Sequence, residues 1–336
     1  MKIAFVSAVP FSLLFGGGET QLLYTKSHLE KLSVDVQLFD NWNKDFNCDV
    51  LHFFGCNYWN YHLALMAKKK GIKIALSTIS YNEKFNISYQ LWRYLDKMSP
   101  VMTTFGLNRE FIKIADCLLP NSIAEANFLI KNFEANKNKI YVIPNAADMR
   151  FSTADPNSFF KEFGIKDFIL CVGKIEPRKN QLLLANALKN TEFKLVFIGD
   201  AISENLGYFQ SFQQVVNQSE NIIHIKSLPY DSNLLASAYA SCKVHVLLGT
   251  NETPGIVSLE AALAGANILV ADCKPVKEYF GDYASYCKSL STEDIREGVN
   301  QAFSKNKNSI TKNHVMKNYN WNVVAEKTLE AYKNIF

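Results

Sequence analysis

The chain has 336 residues, 48% of them hydrophobic and 20% charged, with a formal net charge of +4. That length suggests about two domains, and the composition is that of a globular chain able to bury a sizeable core. The mild positive balance suits phosphorylated ligands or contact with anionic lipid. With no dense Lys/Arg stripe interleaved with aromatics, it makes no case for a nucleic-acid partner.

The first apolar run, "MKIAFVSAVPFSLLFGGGE", is interrupted by Pro10 and a glycine triplet and has no clean A-x-A site, so it reads as a buried first strand and not as a signal peptide. A helix from about Glu19 to Lys31 follows, then strands in "VDVQLF" and "DVLHFF", a helix around 58–70 and a strand in "GIKIALSTIS". "DCLLP", a helix around 122–133 and a strand in "KIYVIP" close the first half. Apolar runs that scarcely alternate, separated by helices, predict a parallel sheet covered on both faces.

The pattern then restarts. "FILCVG" leads to a helix near 178–190, "FKLVFIG" to one near 204–218 and "NIIHI" to one near 231–240. "KVHVLL" leads to a helix near 256–264 and "ANILVA" to a shorter one. The expected class is therefore α/β, with two Rossmann-like doubly wound domains at 1–148 and 155–318. "AADMRFSTADPNS" reads as the linker between them. A helix in 319–336, "WNVVAEKTLEAYKNIF", is expected to cross back and pack on the first domain. No run reaches the ~18 apolar residues of a membrane span.

The seven cysteines are odd in number, scattered and never in C-x-x-C, and several sit in apolar runs. They read as buried free thiols in a reducing compartment, which predicts a cytoplasmic location. The six histidines do not pair at ligand spacing, and no metal site is expected.

In open parallel sheets, ligands sit beyond the carboxyl ends of the strands, so chemistry belongs in the turns after them. "LLFGGGET" (13–20) follows the first strand, and its glycines permit close backbone approach to an anion at the next helix start. It is neither G-x-G-x-x-G nor a P-loop, and a flexible turn is an equal reading. "VGKIEPRKN" (172–180) sets Lys174, Arg178 and Lys179 near a helix whose first position suits Pro177. Cations there oppose the helix dipole, which makes sense if an anion fills the turn; a solvated basic loop is the alternative. In "GTNETPGIVSLEAALAG" (249–265), backbone N–H groups around Gly255–Val257 can hold a phosphate, with Glu252 before the helix start and Glu260 about one turn, roughly 6 Å, beyond it. Ionised carboxylates are acceptors, so each suits the hydroxyls of a sugar, although two glutamates so spaced also occur without function. Ser80, Tyr81, Asn82 and Glu83 in "STISYNEKF" form a polar turn open to a ligand, and His52 in "DVLHFFG" reads first as a satisfied core histidine.

Together, "VGKIEPRKN" and "ETPGIVSLEAALAG" resemble the retaining GT-B-fold glycosyltransferases of family four, the glycosyl transferases group 1. "GGGE" is similar to that family's glycine loop and "YVIPNAAD" to the segment entering its hinge, and the order of elements agrees over essentially the whole chain. The resemblance implies two domains facing across a cleft, and transfer of a sugar from a nucleotide-diphosphate donor, UDP-sugars favoured, to a hydroxyl with retention. It implies no metal and no cofactor. Lys179 matches the lysine that neutralises the diphosphate, and Lys174 stands where most members have arginine. Glu260 matches the ribose-binding glutamate and Glu252 the one beside the donor sugar. Gly16 and Gly17 match the loop that closes on the donor, and Thr253, Pro254, Gly255, Ile256 and Val257 the donor-binding turn, with Arg178 beside it. Ser80 replaces the histidine of the family's T-x-H setting, so that histidine's role does not transfer. The implied partners are the donor and a saccharide or lipid-linked saccharide acceptor, with peripheral contact at the inner membrane surface and a role in bacterial cell-surface polysaccharide or glycoconjugate synthesis. Aromatic stretches at 54–62 and 89–95 suit such an acceptor or the core. A catalytically silent sugar-nucleotide-binding subunit, a nucleotide-sugar epimerase and a glycan phosphorylase are the rivals, the last lacking a convincing pyridoxal-phosphate lysine site.

Overall fold

A computed structural model describes residues 1–7, 11, 16–82, 95, 103–201, 203–253, 255–307 and 309–336. Pro254, Glu83, residues 13–15 of the glycine loop and residues 89–94 of the second aromatic stretch lie outside the described residues. The chain divides into two compact units, Met1–Ala146 with Trp321–Phe336, and Ala147–Asn320.

The first unit carries β1 (Lys2–Val6), α1 (Gly17–Lys31), β2 (Asp35–Leu38), β3 (Val50–Phe54), α2 (Tyr61–Lys69), β4 (Lys73–Ser77), α3 (Thr104–Ile114), β5 (Cys117–Leu118) and α4 (Ile123–Phe133). Its strands pair in parallel in the order β2-β1-β3-β4-β5. Every residue of β3 is buried, as expected of a strand with helices on both faces. The expected strand in "KIYVIP" is reduced to one bridge, Leu118 to Ile140. Tyr141 and Ile143 still donate to the carbonyls of Leu118 and Pro120, but β5 is only two residues long and Pro120 has no N–H with which to extend the ladder.

The second unit carries α5 (Asn157–Phe163), β6 (Ile169–Val172), α6 (Gln181–Leu188), β7 (Leu195–Ile198), α7 (Leu206–Asn217), β8 (Ile222–Ile225), α8 (Asn233–Ser241), β9 (Val244–Leu247), α9 (Ile256–Leu263), β10 (Asn267–Ala271), α10 (Lys274–Phe280), β11 (Ser285–Cys287), α11 (Thr292–Ser304) and α12 (Ser309–Asn318). The six strands run parallel in the order β11-β10-β9-β6-β7-β8. Their apolar residues alternate between two cores: Leu170, Val172, Val196 and Ile198 enter one, Ile169, Cys171, Leu195 and Phe197 the other. Both faces being covered, the strands need not alternate in polarity, which is why they read as continuous apolar runs.

The segment taken as a linker belongs to the second unit. Met149–Thr153 form a 3-10 helix capped by Asp148, and Phe151 is fully buried in one of the two cores. The chain then returns through α13 (Trp321–Lys333), which packs on α1 of the first unit, Trp321 stacking on Tyr24 at 5.3 Å. Tyr332 on α13 reaches the sheet: its hydroxyl lies 2.6 Å from His52 Nδ1, whose Nε2 is 2.9 Å from Ser77 Oγ. His52 is therefore a satisfied core residue, and burial pushes its ring down to about 3, so it stays neutral. Among the described residues no helix is long and apolar enough to cross a membrane.

Candidate active site

The first strand of the second unit, β6, has β7 on one side and β9 on the other. That is the switch point of the sheet, where chains leave in opposite directions and a crevice opens at the carboxyl ends. The loops leaving β6 and β9 are the two motif-bearing stretches. They are brought together because Ile169 pairs with Val244 and Leu170 with His245, across more than seventy positions of sequence. Asn180 Nδ2 donates to the Leu248 carbonyl at 2.7 Å and ties the loops directly.

Beyond β6, Pro177 opens a 3-10 turn, Pro177–Lys179, and not the α-helix. Asn180 adopts a left-handed conformation (φ 57°), and α6 starts only at Gln181. The Gln181 amide donates to the Lys174 carbonyl at 2.7 Å and accepts from the Glu176 N–H at 3.3 Å, holding the loop against the helix. The turn sends Lys179 back over the strand end. A Cβ placed on Gly173 would fall 2.5 Å from Lys179 Nζ, so the ammonium rests directly over the glycine. Among the described residues no carboxylate pairs with Lys179.

Arg178 behaves differently from the sequence expectation. Its guanidinium bridges two carboxylates, Nη1 to Glu252 Oε1 at 2.8 Å and Nη2 to Glu176 Oε1 at 2.7 Å. Glu252 is largely buried, its carboxylate folded back against Gly249 and Gly255. The pair that looked independent in sequence is thus a single ion-paired bridge across the two loops, because burial of Glu252 demands a partner. Thr253 lies in the same loop. Gly255 is the N-cap of α9 and offers no side-chain cap to the N–H groups at Ile256 and Val257.

Glu260, one turn into α9, is buried. Tyr239 donates to its Oε2 at 2.8 Å, while Oε1 has no hydrogen-bond partner among the described residues. Burial pushes its carboxyl up to about 7, against the pull of Tyr239, the neighbouring Tyr230 hydroxyl and the Arg150 charge. Arg150 stacks on the rings of Phe151 (4.3 Å) and Tyr230 (5.0 Å) and donates to the Tyr230 carbonyl. His245, buried on β9, is pushed down to about 3 by burial and by the charge of Lys179. Arg150, Tyr230, Tyr239 and His245 were missed by sequence reasoning, although Arg150 stands just after the "YVIPNAAD" segment. In the first unit, Gly16 and Gly17 open α1 and Ser80 follows β4; Ile79 Cδ1 lies 3.9 Å from the Cβ position of Gly18 and so joins the two turns. Among the described residues no three His, Cys, Asp or Glu side chains gather as metal ligands.

The profile of the family described as glycosyl transferases group 1 matches residues 155–322. The chain belongs to that family. The match takes in Lys174, Arg178, Lys179, Glu252 and Glu260, and leaves out Gly16, Gly17 and Ser80. A relative in Campylobacter jejuni, N-acetylgalactosamine-N,N'-diacetylbacillosaminyl-diphospho-undecaprenol 4-alpha-N-acetylgalactosaminyltransferase, is 27% identical over 225 residues, 66% of this chain and 58% of that protein. The chain thus covers less than two thirds of that relative's length. Among solved structures, HepE from Anabaena with UDP and glucose superposes with a TM-score of 0.77 at 15% identity, covering 99% of both chains. Sucrose-phosphate synthase from Thermosynechococcus elongatus gives 0.79 at 12% identity, over 100% of this chain and 99% of that one. At such identities the likeness is one of fold, and the expected class, two Rossmann-like α/β units of the GT-B type, is the one found.

Within this family member, Glu260 has a measurable signature. Its folded carboxyl titrates near 7 against 4.5 for the ordinary group, so between those pH values the folded state holds a proton that the unfolded state has lost. Stability from this group is full below about 4.5 and declines as pH rises through about 7. The gap corresponds to about 3 kcal/mol. Urea unfolding of the wild type and of Glu260→Gln should therefore diverge across pH 4.5–7, the wild type losing stability relative to the variant as pH rises. Parallel profiles would show that Glu260 is ionised in the fold.

Proposed function

We propose that this protein transfers a glycosyl group from a nucleoside-diphosphate sugar, UDP-sugars favoured, to an acceptor hydroxyl with retention at the anomeric carbon. The observation that carries this reading is Lys179: an ammonium folded onto Gly173 with no carboxylate partner among the described residues, on a loop tied to the one that opens α9. In this reading the diphosphate lies between Lys174, Lys179 and the N–H groups at Gly255–Val257. The bond from the anomeric carbon to the diphosphate breaks with its electron pair going to phosphate oxygen, and these fixed charges stabilise the charge that develops. The acceptor oxygen bonds to that carbon from the face the diphosphate leaves, and its proton passes to the departing phosphate. Glu260, with one oxygen unpartnered, accepts from ribose hydroxyls. Glu252, held by Arg178, lies towards the donor sugar with Thr253. Lysines do the neutralising, so no metal is required.

The Campylobacter relative's name describes a diphospho-undecaprenol acceptor, which supports a lipid-linked saccharide acceptor here and a role in bacterial polysaccharide or glycoconjugate synthesis. HepE binding UDP with glucose supports the UDP-sugar donor. Seven free thiols suit a reducing compartment, so we assign the reaction to the cytoplasm, at the inner membrane surface when the acceptor is lipid-linked.

A thermal-shift panel of UDP, GDP, ADP and UDP-sugars tests the donor. A ligand at a hundred times its Kd adds about 2.7 kcal/mol of apparent stability; UDP and its sugars should raise Tm, and UDP release from the preferred donor should persist in EDTA. No shift with any nucleotide overturns the donor reading. A shift without turnover points to the silent binding subunit, and strict dependence on magnesium or manganese removes the metal-free mechanism.

A further inference from the structure

Strand β4 of the first unit runs directly into Thr78, Ile79 and Ser80, and Ile79 takes φ 43°. A β-branched residue in the left-handed region is a true outlier, and such conformations persist only where the surroundings over-determine them. Here one carboxylate does so. Glu125 in the first turn of α4 is fully buried, and its Oε1 accepts from Thr78 Oγ1 at 2.5 Å and from the Ser80 N–H at 2.7 Å. The same oxygen therefore grips the chain on both sides of the strained residue. Its Oε2 accepts from the Asn121 N–H at 2.8 Å. Asn121 Oδ1 in turn accepts from Gln21 Nε2 at 3.0 Å, on α1 one turn beyond Gly16 and Gly17. The turns after β1, β4 and β5 are thus joined through this carboxylate.

An ordinary capping glutamate serves its own helix, reaching back to the N-cap N–H. In α4 the Ser122 hydroxyl performs the cap, accepting from the Glu125 N–H at 3.0 Å. Oε1 is turned instead towards residues 45 and 47 positions earlier in the chain. Ile79 itself packs towards Gly18, so relaxing its backbone would displace both the Ser80 turn and the contact with the glycine turn.

We propose that Glu125 is a positioning residue that clamps the strained Thr78–Ser80 turn in the conformation that transfer requires. This rests on the transfer reading above, with the nucleotide bound by the second unit. Losing the clamp should impair turnover and spare nucleotide binding.

The test measures UDP affinity by calorimetry, UDP release from UDP-glucose, UDP-galactose and UDP-N-acetylglucosamine, and amide exchange at Ser80. Glu125→Gln keeps one oxygen: turned to Thr78 and Ser80 it sets an amide N–H₂ against the Asn121 N–H, and turned to Asn121 it sets one against the Ser80 N–H. It should lower kcat by at least about tenfold, leave the UDP Kd within about twofold, and speed exchange at Ser80. Adding Ile79→Gly should recover most of the lost kcat, because glycine adopts this φ without strain and no longer needs the clamp. A purely structural role would lower Tm and gain nothing from glycine at 79. Glu125→Ala repeats the comparison if it folds, and Glu125→Gln carries it if not. Unchanged kcat in folded Glu125→Gln, or a loss that Ile79→Gly does not recover, overturns the proposal. Should the wild type release UDP from none of the donors, the transfer reading falls by itself. Ser80 exchange then decides the clamp: faster in Glu125→Gln supports it, unchanged overturns it.

Discussion

Replacing Lys179 with alanine is expected to weaken UDP binding by at least tenfold and to lower donor turnover by as much or more. A charge-assisted hydrogen bond to phosphate contributes roughly 1.5–3 kcal/mol, which corresponds to about ten- to a hundredfold. The geometry gives Lys179 little else to do: it has no carboxylate partner among the described residues and its ammonium lies on Gly173 at the end of β6. Removing it should therefore leave Tm nearly unchanged while binding falls. Lys179→Arg should not restore full affinity, since a planar guanidinium does not reproduce the compact point charge of the ammonium at the phosphate. Calorimetric titration of UDP into both variants checks this; an unchanged Kd in folded Lys179→Ala removes the residue from the donor site.

Gly199→Ala should destabilise the second unit by about 3 kcal/mol or more, a fall in Tm of roughly 6–12 °C. Gly199 ends β7 with φ 155°, and a Cβ there would lie 2.1 Å from the Gly173 carbonyl oxygen. Neither backbone can yield cheaply. Gly173 donates to Ile198 and Gly199 to Ile225, both at the carboxyl edge of the sheet. Opening that edge also moves the loop that carries Lys174 and Lys179, so nucleotide affinity should fall with stability. Gly207→Ala is the control, because an added methyl there meets nothing within 4 Å and the site is helical. Thermal unfolding of the two variants side by side checks the contrast. Equal Tm values would mean that the two strand ends do not approach as described.

What could be read from sequence follows from which forces are local. The buried parallel strands were legible because a strand covered on both faces is apolar at every position, as in Val50–Phe54. Helix α11 carried a readable start, Ser291 capping the Asp294 N–H three residues on, yet it was passed over. Helix α5 begins inside the linker-like stretch, and its packing of Phe159 on Phe168 at 5.1 Å makes it part of the core. The candidate site divides in the same way. Glycine, lysine and glutamate at motif spacing mark the loops, but the pairing of Arg178 with Glu252 depends on β6 lying beside β9, which no local window encodes. Glu125 is likewise indistinguishable in sequence from any first-turn glutamate; its meaning lies in two residues more than forty positions away.

The return of α13 to the first unit has a consequence for biosynthesis. The second unit is one continuous stretch, residues 147–320, whereas the first needs residues 321–336 to be complete. A chain emerging from its amino end therefore makes the first sheet early but cannot complete the unit around it. The surface of α1 and the buried His52 on the central strand wait for Trp321 and Tyr332 until some three hundred residues have been synthesised. The second unit, begun later, is the first that can close, and through that interval the earlier half carries the exposed apolar surface that recruits chaperones and invites misassembly.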